Sequence, residues 1–471
     1  MMSCEIDERI ARAMNDIRPE TAFEGRLGPP RALAERLAFC HTPGMGLAIV
    51  EGFELAWAGG FGRREAGSDE PVTAGTLFQA ASISKPVLAL AVMRLVQDGV
   101  LELDRDVNDY LTSWRVPAND GWQPRLTLRQ LLSHTAGVTV PGFPGYTTSE
   151  SVPGLVQVLE GEPQANTPRI EVNTLPGLTY RYSGGGSLIA QQAVIDRLGK
   201  PFPRLMRELV LGPLGMADST FEQPLPEAWA PRAATGHPYK GNPLPGRYHV
   251  YPEMAAAGLW TTPADLARVG VELMRAVNRQ PPAVLSRETA GSMLQPQHAG
   301  PGEGYQPAVG WFVRGEEESR CFYHSGGNEG FVAHAQFFPG SGQGVVLMLN
   351  SNEGNDLMFD VRRAIGREFC WPGTQPTERA AVEVAGVERY AGDYATEAGI
   401  ELRVSVQDGA LRLQVAGQPP LPIYAGAELE FFARAVNTTL VFRQCEAGAI
   451  TGLRLEQEGQ HFEATRRRAN R

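Results

Sequence analysis

The spacing of apolar positions changes along the chain, and these changes predict where helices and strands lie. Residues 5–17 and 31–39 carry apolar side chains at helical spacing. Two β-type runs, 45–50 and 53–58, flank a short polar turn and predict a hairpin. A long helical pattern follows from about Ser82 to Gln97, where an Asp-Gly pair ends it.

The pattern changes again after residue 100. From about 100 to 255, short helical pieces are separated by loops rich in Pro and Gly, and a further helix is predicted at 264–274. After that helix come β-type runs at 309–314, 321–324, 331–338 and 344–350 and a helical pattern at 356–369. Strands near both ends and a mostly helical middle predict an α+β fold. We expect one antiparallel sheet built from sequence-distant halves, flanked by helices, with a helical insertion at about 100–255.

A second, smaller domain is predicted at the C-terminal end. Residues 371–376 predict a linker, because their two prolines and one glycine can continue neither a helix nor a strand. The β-type runs beyond the linker lie at 400–406, 411–415, 428–432, 438–442 and 450–455. They predict a small all-β domain. The expected domains are therefore 1–372 and 380–471.

The composition limits which classes of partner and which cellular compartment we expect for this protein. The 471 residues include 43 Lys plus Arg and 53 Asp plus Glu, and this net charge of -10 argues against a nucleic-acid partner. Five cysteines without close spacing favour a reducing compartment. The N-terminal residues are acidic where a signal peptide would be apolar, and no segment has the roughly 18 continuous apolar residues of a membrane span. We expect a cytoplasmic protein without a membrane partner.

The strongest local motif is Ser82-Ile83-Ser84-Lys85, at the start of the long predicted helix. Positions i and i+3 share a helix face, so Lys85 can lie beside the hydroxyl of Ser82. A lysine amine in this position can remove the proton that keeps a serine hydroxyl a poor nucleophile. The motif alone occurs by chance in chains of this length. The alternative interpretation is therefore a serine that only caps the helix N-terminus, followed by an exposed lysine.

The surroundings of this motif carry a family resemblance. Residues 76–104 resemble the active-site helix of the serine β-lactamase and penicillin-binding-protein superfamily. The similarity is to its class C-like branch, which also holds D-aminopeptidases and family VIII esterases. Further landmarks follow in family order at Leu131–Gly137, Leu214–Met216 and Ala257–Leu266. The resemblance covers roughly residues 30 to 370. It implies a class C β-lactamase-like fold and a serine hydrolase that forms an acyl-enzyme without a metal or cofactor.

The resemblance assigns the family's Tyr-x-Asn element to Tyr182-Ser183-Gly184. The phenol of Tyr182, after losing its own proton, would accept the proton of Ser82 and, with Lys85, pass it to the leaving group. Gly184 replaces the family's Asn, so the amide that would contact Lys85 or the substrate is lost, and Ser183 or a water could stand in for it. Gly184 and its neighbours either let backbone approach the substrate or form a tight turn. Tyr180 is a weaker candidate for the role of Tyr182.

The third family element, Lys-Thr-Gly or His-x-Gly, matches His324-Ser325-Gly326-Gly327. The resemblance implies that the first three of these residues, with Gly184, contact the substrate. It also implies that the N–H groups of Gly327 and Ser82 form the oxyanion hole. A histidine with an ordinary pKa near 6.5 is mostly neutral at pH 7, so His324 would not favour a substrate carboxylate as a lysine does.

Other chemistry has less support. The eight histidines form no H-E-x-x-H motif and the cysteines no C-x-x-C motif, so nothing in their spacing predicts a metal site. We expect His134 to be a structural residue near a helix end.

The C-terminal domain resembles the lipocalin-like modules appended to some of these hydrolases, with Tyr390–Tyr394 as its opening. This resemblance implies a small β barrel, which could cover part of the cleft, mediate a homodimer or merely pack.

Three functional hypotheses remain open at this stage. The first is a serine hydrolase acting on an ester, a small amide or a peptide with a D-residue, and Gly184 and His324 disfavour true β-lactamase action. The second is a penicillin-binding-type sensor or scaffold, or a weak β-lactamase, with little turnover. The third is ligand binding by the terminal barrel. In the first two cases the partner is a small-molecule substrate.

Overall fold

The computed structural model describes residues 2–18, 21–23, 29–281, 283–300, 305–372, 374, 377–396, 399–407, 409–434, 436, 438–457 and 460–467. The described residues divide into two compact units, one from 1–17 and 31–373 and the other from 18–30 and 374–471. Of the predicted linker, residues 373, 375 and 376 lie outside the described residues. The domain boundaries that the sequence indicates, 1–372 and 380–471, stay a prediction.

The α-helices belong to the first unit. In chain order they are α1 Met2–Asn15, α2 Leu33–Phe39, α3 Ser84–Gln97, α4 Leu128–Leu132, α5 Leu155–Glu160, α6 Gly184–Leu198, α7 Phe202–Met206, α8 Met254–Ala257, α9 Pro263–Val277, α10 Arg287–Met293 and α11 Asn355–Glu368. Within the described residues, none of these helices combines the length and the hydrophobicity that crossing a bilayer demands.

The strands up to the linker are β1 Thr21–Phe23, β2 Gly44–Glu51, β3 Glu54–Gly62, β4 Phe78–Gln79, β5 Trp260–Thr261, β6 Gln306–Pro307, β7 Phe312–Arg314, β8 Cys321–Asn328, β9 Phe331–Phe338 and β10 Gln343–Leu349. Seven of them form one antiparallel sheet in the order β3-β2-β10-β9-β8-β7-β6. The hairpin β2–β3 from the N-terminal part therefore joins strands that lie more than 240 residues later in the chain. This confirms the predicted α+β fold with a sheet built from sequence-distant halves.

The central strand β10 shows why these strands have continuous apolar runs. Val345, Leu347 and Leu349 pack in the cluster that includes residues of α1 and α11. Val346 and Met348 point to the opposite face and pack in the cluster that includes α3 and α9. A strand that is covered on both faces has no polar face, so its sequence does not alternate.

Helix α3 is the centre of the larger hydrophobic cluster. Most of its residues are buried, from Ser84 through Met93 and again at Leu95. A helix that is apolar on nearly all sides belongs in a core, not at a surface. Its first turn is therefore held from all sides, and the residues that precede it are presented in a fixed position.

The second unit contains a closed antiparallel barrel, as predicted. Its strands are β12 Gly392–Thr396, β13 Glu401–Gln407, β14 Ala410–Val415, β15 Leu421–Ala425, β16 Glu430–Ala433, β17 Thr438–Gln444, β18 Ile450–Gln457 and β19 Gln460–Arg466. Tyr390, Tyr394, Phe431 and Phe442 are buried in its core. The short β1 pairs in parallel with β11 Thr377–Arg379, and both belong to this unit.

Candidate active site

The candidate nucleophile lies just before α3. Ser82 occupies a 3₁₀ turn, Ala81–Ile83, and α3 begins at Ser84, two residues later than the sequence pattern indicates. Ala81 has a φ of 51°, a left-handed conformation that is uncommon for a residue with a side chain. Ser82 is partly exposed although both of its neighbours are buried. The turn thus presents one hydroxyl at the surface of an otherwise buried segment.

Lys85 contacts this hydroxyl from one turn further along. Its Nζ lies 2.9 Å from Ser82 Oγ and also donates to the backbone oxygen of Ala256 at 2.9 Å. The side chain is only 3% exposed. The first contact is the one that the i, i+3 spacing predicts, and the second fixes the amine in the direction of the hydroxyl.

The segment that supplies Ala256 surrounds the nucleophile turn. The N–H of Leu259 donates to Ser84 Oγ at 3.0 Å, and the carbonyl of Leu259 accepts from Ala80 N at 2.9 Å. Asn328 at the end of β8 donates its side-chain amide to the carbonyl of Ala257 at 3.1 Å. These hydrogen bonds join α8, the nucleophile turn and β8 into one frame.

Tyr182 lies near the amine of Lys85. The lysine Nζ is 5.1 Å from the centroid of the tyrosine ring, and the ring is partly exposed. Tyr180 is placed differently, because its hydroxyl is 3.2 Å from that of Tyr305 and burial raises its pKa above the ordinary value for a phenol. The hydroxyl of Tyr180 thus faces Tyr305, whereas Tyr182 is the tyrosine whose ring lies near Lys85.

Gly184 and Ser183 belong to the start of α6. Ser183 Oγ accepts from Gly186 N at 3.0 Å and donates to the carbonyl of Thr139 at 2.7 Å, so it is occupied as the N-cap. Gly184 is the first residue of the helix and is buried, and a Cβ there would lie 2.8 Å from Phe143 Cε2. The glycine therefore fits close packing at this helix end, and the site has no amide side chain at this position.

The strand β8 brings the third element beside the nucleophile. It pairs with β9 over residues 322–328, whereas β7 pairs only with its first part, residues 321–323. A Cβ on Gly326 would lie 2.3 Å from Ala80 O and 3.1 Å from Ser82 N. At Gly327 a Cβ would meet nothing within 4 Å. The strand thus runs against the backbone of the nucleophile turn and then opens onto free space at Gly327.

His324 is buried and neutral. It is 2% exposed, and burial together with the charge of Lys85 lowers its pKa to about 3. Its Nδ1 lies 2.7 Å from the carbonyl oxygen of Ser325, which can only accept, so Nδ1 carries the proton. The other ring nitrogen, Nε2, is then an acceptor, and it has no hydrogen-bond partner among the described residues. Ser325 itself is exposed, with its Oγ 2.8 Å from His334 Nδ1.

The described residues include no group of three or more His, Cys, Asp or Glu side chains placed to hold a metal ion. The absence of a cofactor and of a metal stays a prediction for the whole chain.

Comparison with known proteins assigns the family. The family model described as Beta-lactamase matches residues 30–367. This chain belongs to the β-lactamase family. The resemblance to the serine β-lactamase and penicillin-binding-protein superfamily is thereby confirmed, and this member of the family is a serine hydrolase.

Two of the proteins similar to this β-lactamase-family chain cover more than nine tenths of it, and a third covers a smaller part. Penicillin-binding protein 4* of Bacillus subtilis is 22% identical over 464 residues, which cover 93% of this chain and 98% of that protein. Esterase EstB of Burkholderia gladioli is 34% identical over 188 residues, covering 38% of this chain and 47% of that protein. The solved octameric penicillin-binding protein homologue from Pyrococcus abyssi has a TM-score of 0.63 at 19% identity, covering 92% of this chain and 98% of that chain.

Sequence reasoning missed two residues that the structure places at the candidate site. The ring of His134 lies with its centroid 4.3 Å from that of Tyr182, although the sequence suggested only a structural role near a helix end. Its place in the Leu131–Gly137 landmark was the available signal. Ala256 was also missed, because it contributes a backbone carbonyl and no side-chain chemistry marks it.

Proposed function

We propose that this hydrolase works through a covalent acyl-enzyme on Ser82. The observation that carries the proposal is the buried Lys85, whose Nζ is 2.9 Å from Ser82 Oγ and is held there by Ala256 O. Ser82 Oγ forms a bond to the substrate carbonyl carbon while its proton passes to the pair of Lys85 and Tyr182, one of which must enter the step without its own proton. The same groups then give that proton to the leaving alcohol or amine as its bond to the carbonyl breaks. Water hydrolyses the acyl-enzyme in the reverse order of proton transfers.

The oxyanion of each tetrahedral intermediate requires nearby donors. We assign this role to the backbone N–H groups of Ser82 and Gly327. Support comes from β8, which runs against the nucleophile turn at Gly326, and from the open space beside Gly327. Preorganised backbone donors of this kind are worth about 3–4 kcal/mol each in the transition state of acyl transfer.

The charge state of His324 limits the class of substrate that we propose. His324 stands where a lysine in many relatives would attract a carboxylate, but it is neutral and buried. A neutral ring at this position does not attract a carboxylate as a lysine ammonium does, which suits an uncharged substrate. We therefore propose an ester, or a small amide that includes D-amino-acid amides, without a carboxylate next to the reacting carbonyl. A β-lactam, which carries that carboxylate, is a poorer substrate on this argument.

A panel of substrates with matched nucleophile variants tests the proposal. Wild type, Ser82→Ala and Ser84→Ala are incubated with p-nitrophenyl esters, D-amino-acid amides and nitrocefin, and each is labelled with a fluorophosphonate. Ser84 is the control, because its hydroxyl bonds backbone atoms of Ala81 and Leu259 and lies in the same turn. We expect Ser82→Ala to lose labelling and turnover and Ser84→Ala to keep the label. Equal rates in wild type and Ser82→Ala would refute the mechanism.

The same experiment addresses the alternative of a sensor or scaffold. A stable adduct on Ser82 without a product burst would favour the sensor and would refute turnover. A homodimer and a cytoplasmic location stay predictions. Sedimentation of the full chain measures the first, and a monomer at micromolar concentration would contradict it.

A further inference from the structure

His134 contacts the segment that carries Tyr182 at three points. Its backbone oxygen accepts from the N–H of Arg181 at 2.7 Å, and its Nδ1 accepts from the N–H of Ser183 at 3.2 Å. The two residues that flank Tyr182 in the chain are therefore both bonded to His134. Its ring also lies against the Tyr182 ring, with centroids 4.3 Å apart and planes inclined by 35°.

The protonation state of His134 suits this contact. A backbone N–H can only donate, so Nδ1 must carry a lone pair. Burial, and to a smaller extent the charge of Lys85, lowers the pKa of His134 well below the ordinary value. The imidazole stays neutral at ordinary pH, and Nδ1 remains available to Ser183.

The backbone of His134 adopts a conformation that its residue type disfavours. Its φ is 58°, in the left-handed region, which costs a residue with a side chain about 1–3 kcal/mol. The residue follows directly after α4 and Ser133, and the N–H of Thr135 donates back to the carbonyl of Gln130. The turn at the end of α4 thus aims the His134 ring and carbonyl at the tyrosine segment.

We propose that His134 is the positioning residue that holds Tyr182 over Lys85. This inference rests on the proposed role of Tyr182 as a proton acceptor. His134 fixes the backbone on both sides of the tyrosine and supports one face of its ring, while Lys85 Nζ lies 5.1 Å from the centroid of that ring. A tyrosine without this support samples rotamers in which its hydroxyl is out of reach of the reacting atoms.

Three substitutions separate the contacts of His134. His134→Ala removes both the ring and the acceptor, and we expect kcat to fall about 10- to 100-fold while KM changes less than about threefold. His134→Asn restores an acceptor and tolerates a left-handed backbone, so we expect it to recover more than half of the lost activity on a logarithmic scale. His134→Phe keeps a ring without an acceptor and is expected to fall between the other two.

A second buried histidine provides the control for simple loss of stability. His237 is fully buried, its Nδ1 is 2.8 Å from the carbonyl of Asn350 and its Nε2 accepts from Ala66 N. His237→Ala is expected to lower Tm at least as much as His134→Ala and to leave the kcat of the folded protein unchanged. If the two alanine variants lose kcat equally, or if His134→Asn is no better than His134→Ala, the positioning role is wrong.

Combination with Tyr182→Phe distinguishes this inference from the proposed function. If Tyr182→Phe keeps the wild-type kcat, the proposed role of Tyr182 fails and the inference fails with it. If Tyr182→Phe is impaired, His134→Ala should cause less than a twofold further loss in that background, because the group that it positions is already removed. Independent, multiplicative losses would overturn the inference while leaving the role of Tyr182 intact.

Discussion

The substitution Gly326→Ala gives a direct test of how tightly β8 is set against the nucleophile turn. The new Cβ would lie 2.3 Å from Ala80 O, whereas separations under 3.0 Å are essentially never found for real Cβ atoms. The atom that it meets belongs to the backbone and cannot rotate away. Either β8 or the nucleophile turn must therefore move by about 0.7 Å or more, a displacement comparable with the 1 Å that can reduce a rate about 100-fold.

We expect this variant to lose about 10- to 100-fold in kcat/KM and about 1–3 kcal/mol in the free energy of unfolding. Hydrolysis of a p-nitrophenyl ester measures the first, and urea unfolding of the same preparation measures the second. Gly340→Ala is the control, because Gly340 lies in the turn between β9 and β10 of the same sheet and a Cβ there meets nothing within 4 Å. Wild-type kcat/KM in Gly326→Ala, or an equal loss in both variants, would refute the reasoning.

Three further outcomes follow from buried groups. Glu253 is fully buried, neither carboxyl oxygen has a hydrogen-bond partner among the described residues, and burial raises its pKa from 4.5 to about 8. The folded state then binds this proton more tightly than the unfolded state, so the free energy of unfolding should fall as pH rises from about 4.5 to 8. In Glu253→Gln, urea unfolding at several pH values in that window should show a smaller fall. The pH profile of kcat/KM should show no step near pH 6.5 from His324, whose pKa is about 3, and a step that disappears in His324→Gln would contradict this. Gly270→Ala would place a Cβ 2.2 Å from Phe337 Cζ, so we expect a lower Tm in thermal unfolding with normal activity once folded.

How well the sequence predicted a strand depended on how much of that strand is buried. β9 has the bounds that its apolar run predicts, 331–338, because all eight of its residues are buried. β12, β15 and β19 of the barrel carried too little apolar signal for a prediction, since they are short or contain several polar residues. Their place is set by pairing with neighbouring strands, which a local pattern does not contain.

In the candidate site, the sequence predicted contacts between residues close in the chain and missed contacts between distant ones. Ser82 and Lys85 are three residues apart, so helix periodicity alone predicts the contact between them. The second acceptor of Lys85, Ala256, is 171 residues away and contributes only a carbonyl. His134 and Ser183 are 49 residues apart, and their hydrogen bond depends on the left-handed turn after α4. Groups that act through backbone atoms leave no residue type to recognise in the sequence.

His324 shows how burial changes a conclusion that residue type suggests. The sequence predicts a histidine that is mostly neutral at pH 7 and gains charge on mild acidification. In the structure its pKa is about 3, its Nδ1 proton is committed to Ser325 O, and its Nε2 stays an acceptor. A drop from pH 7 to pH 5 therefore leaves the ring uncharged. The selection against carboxylates that we propose for this site should therefore not change between these two pH values.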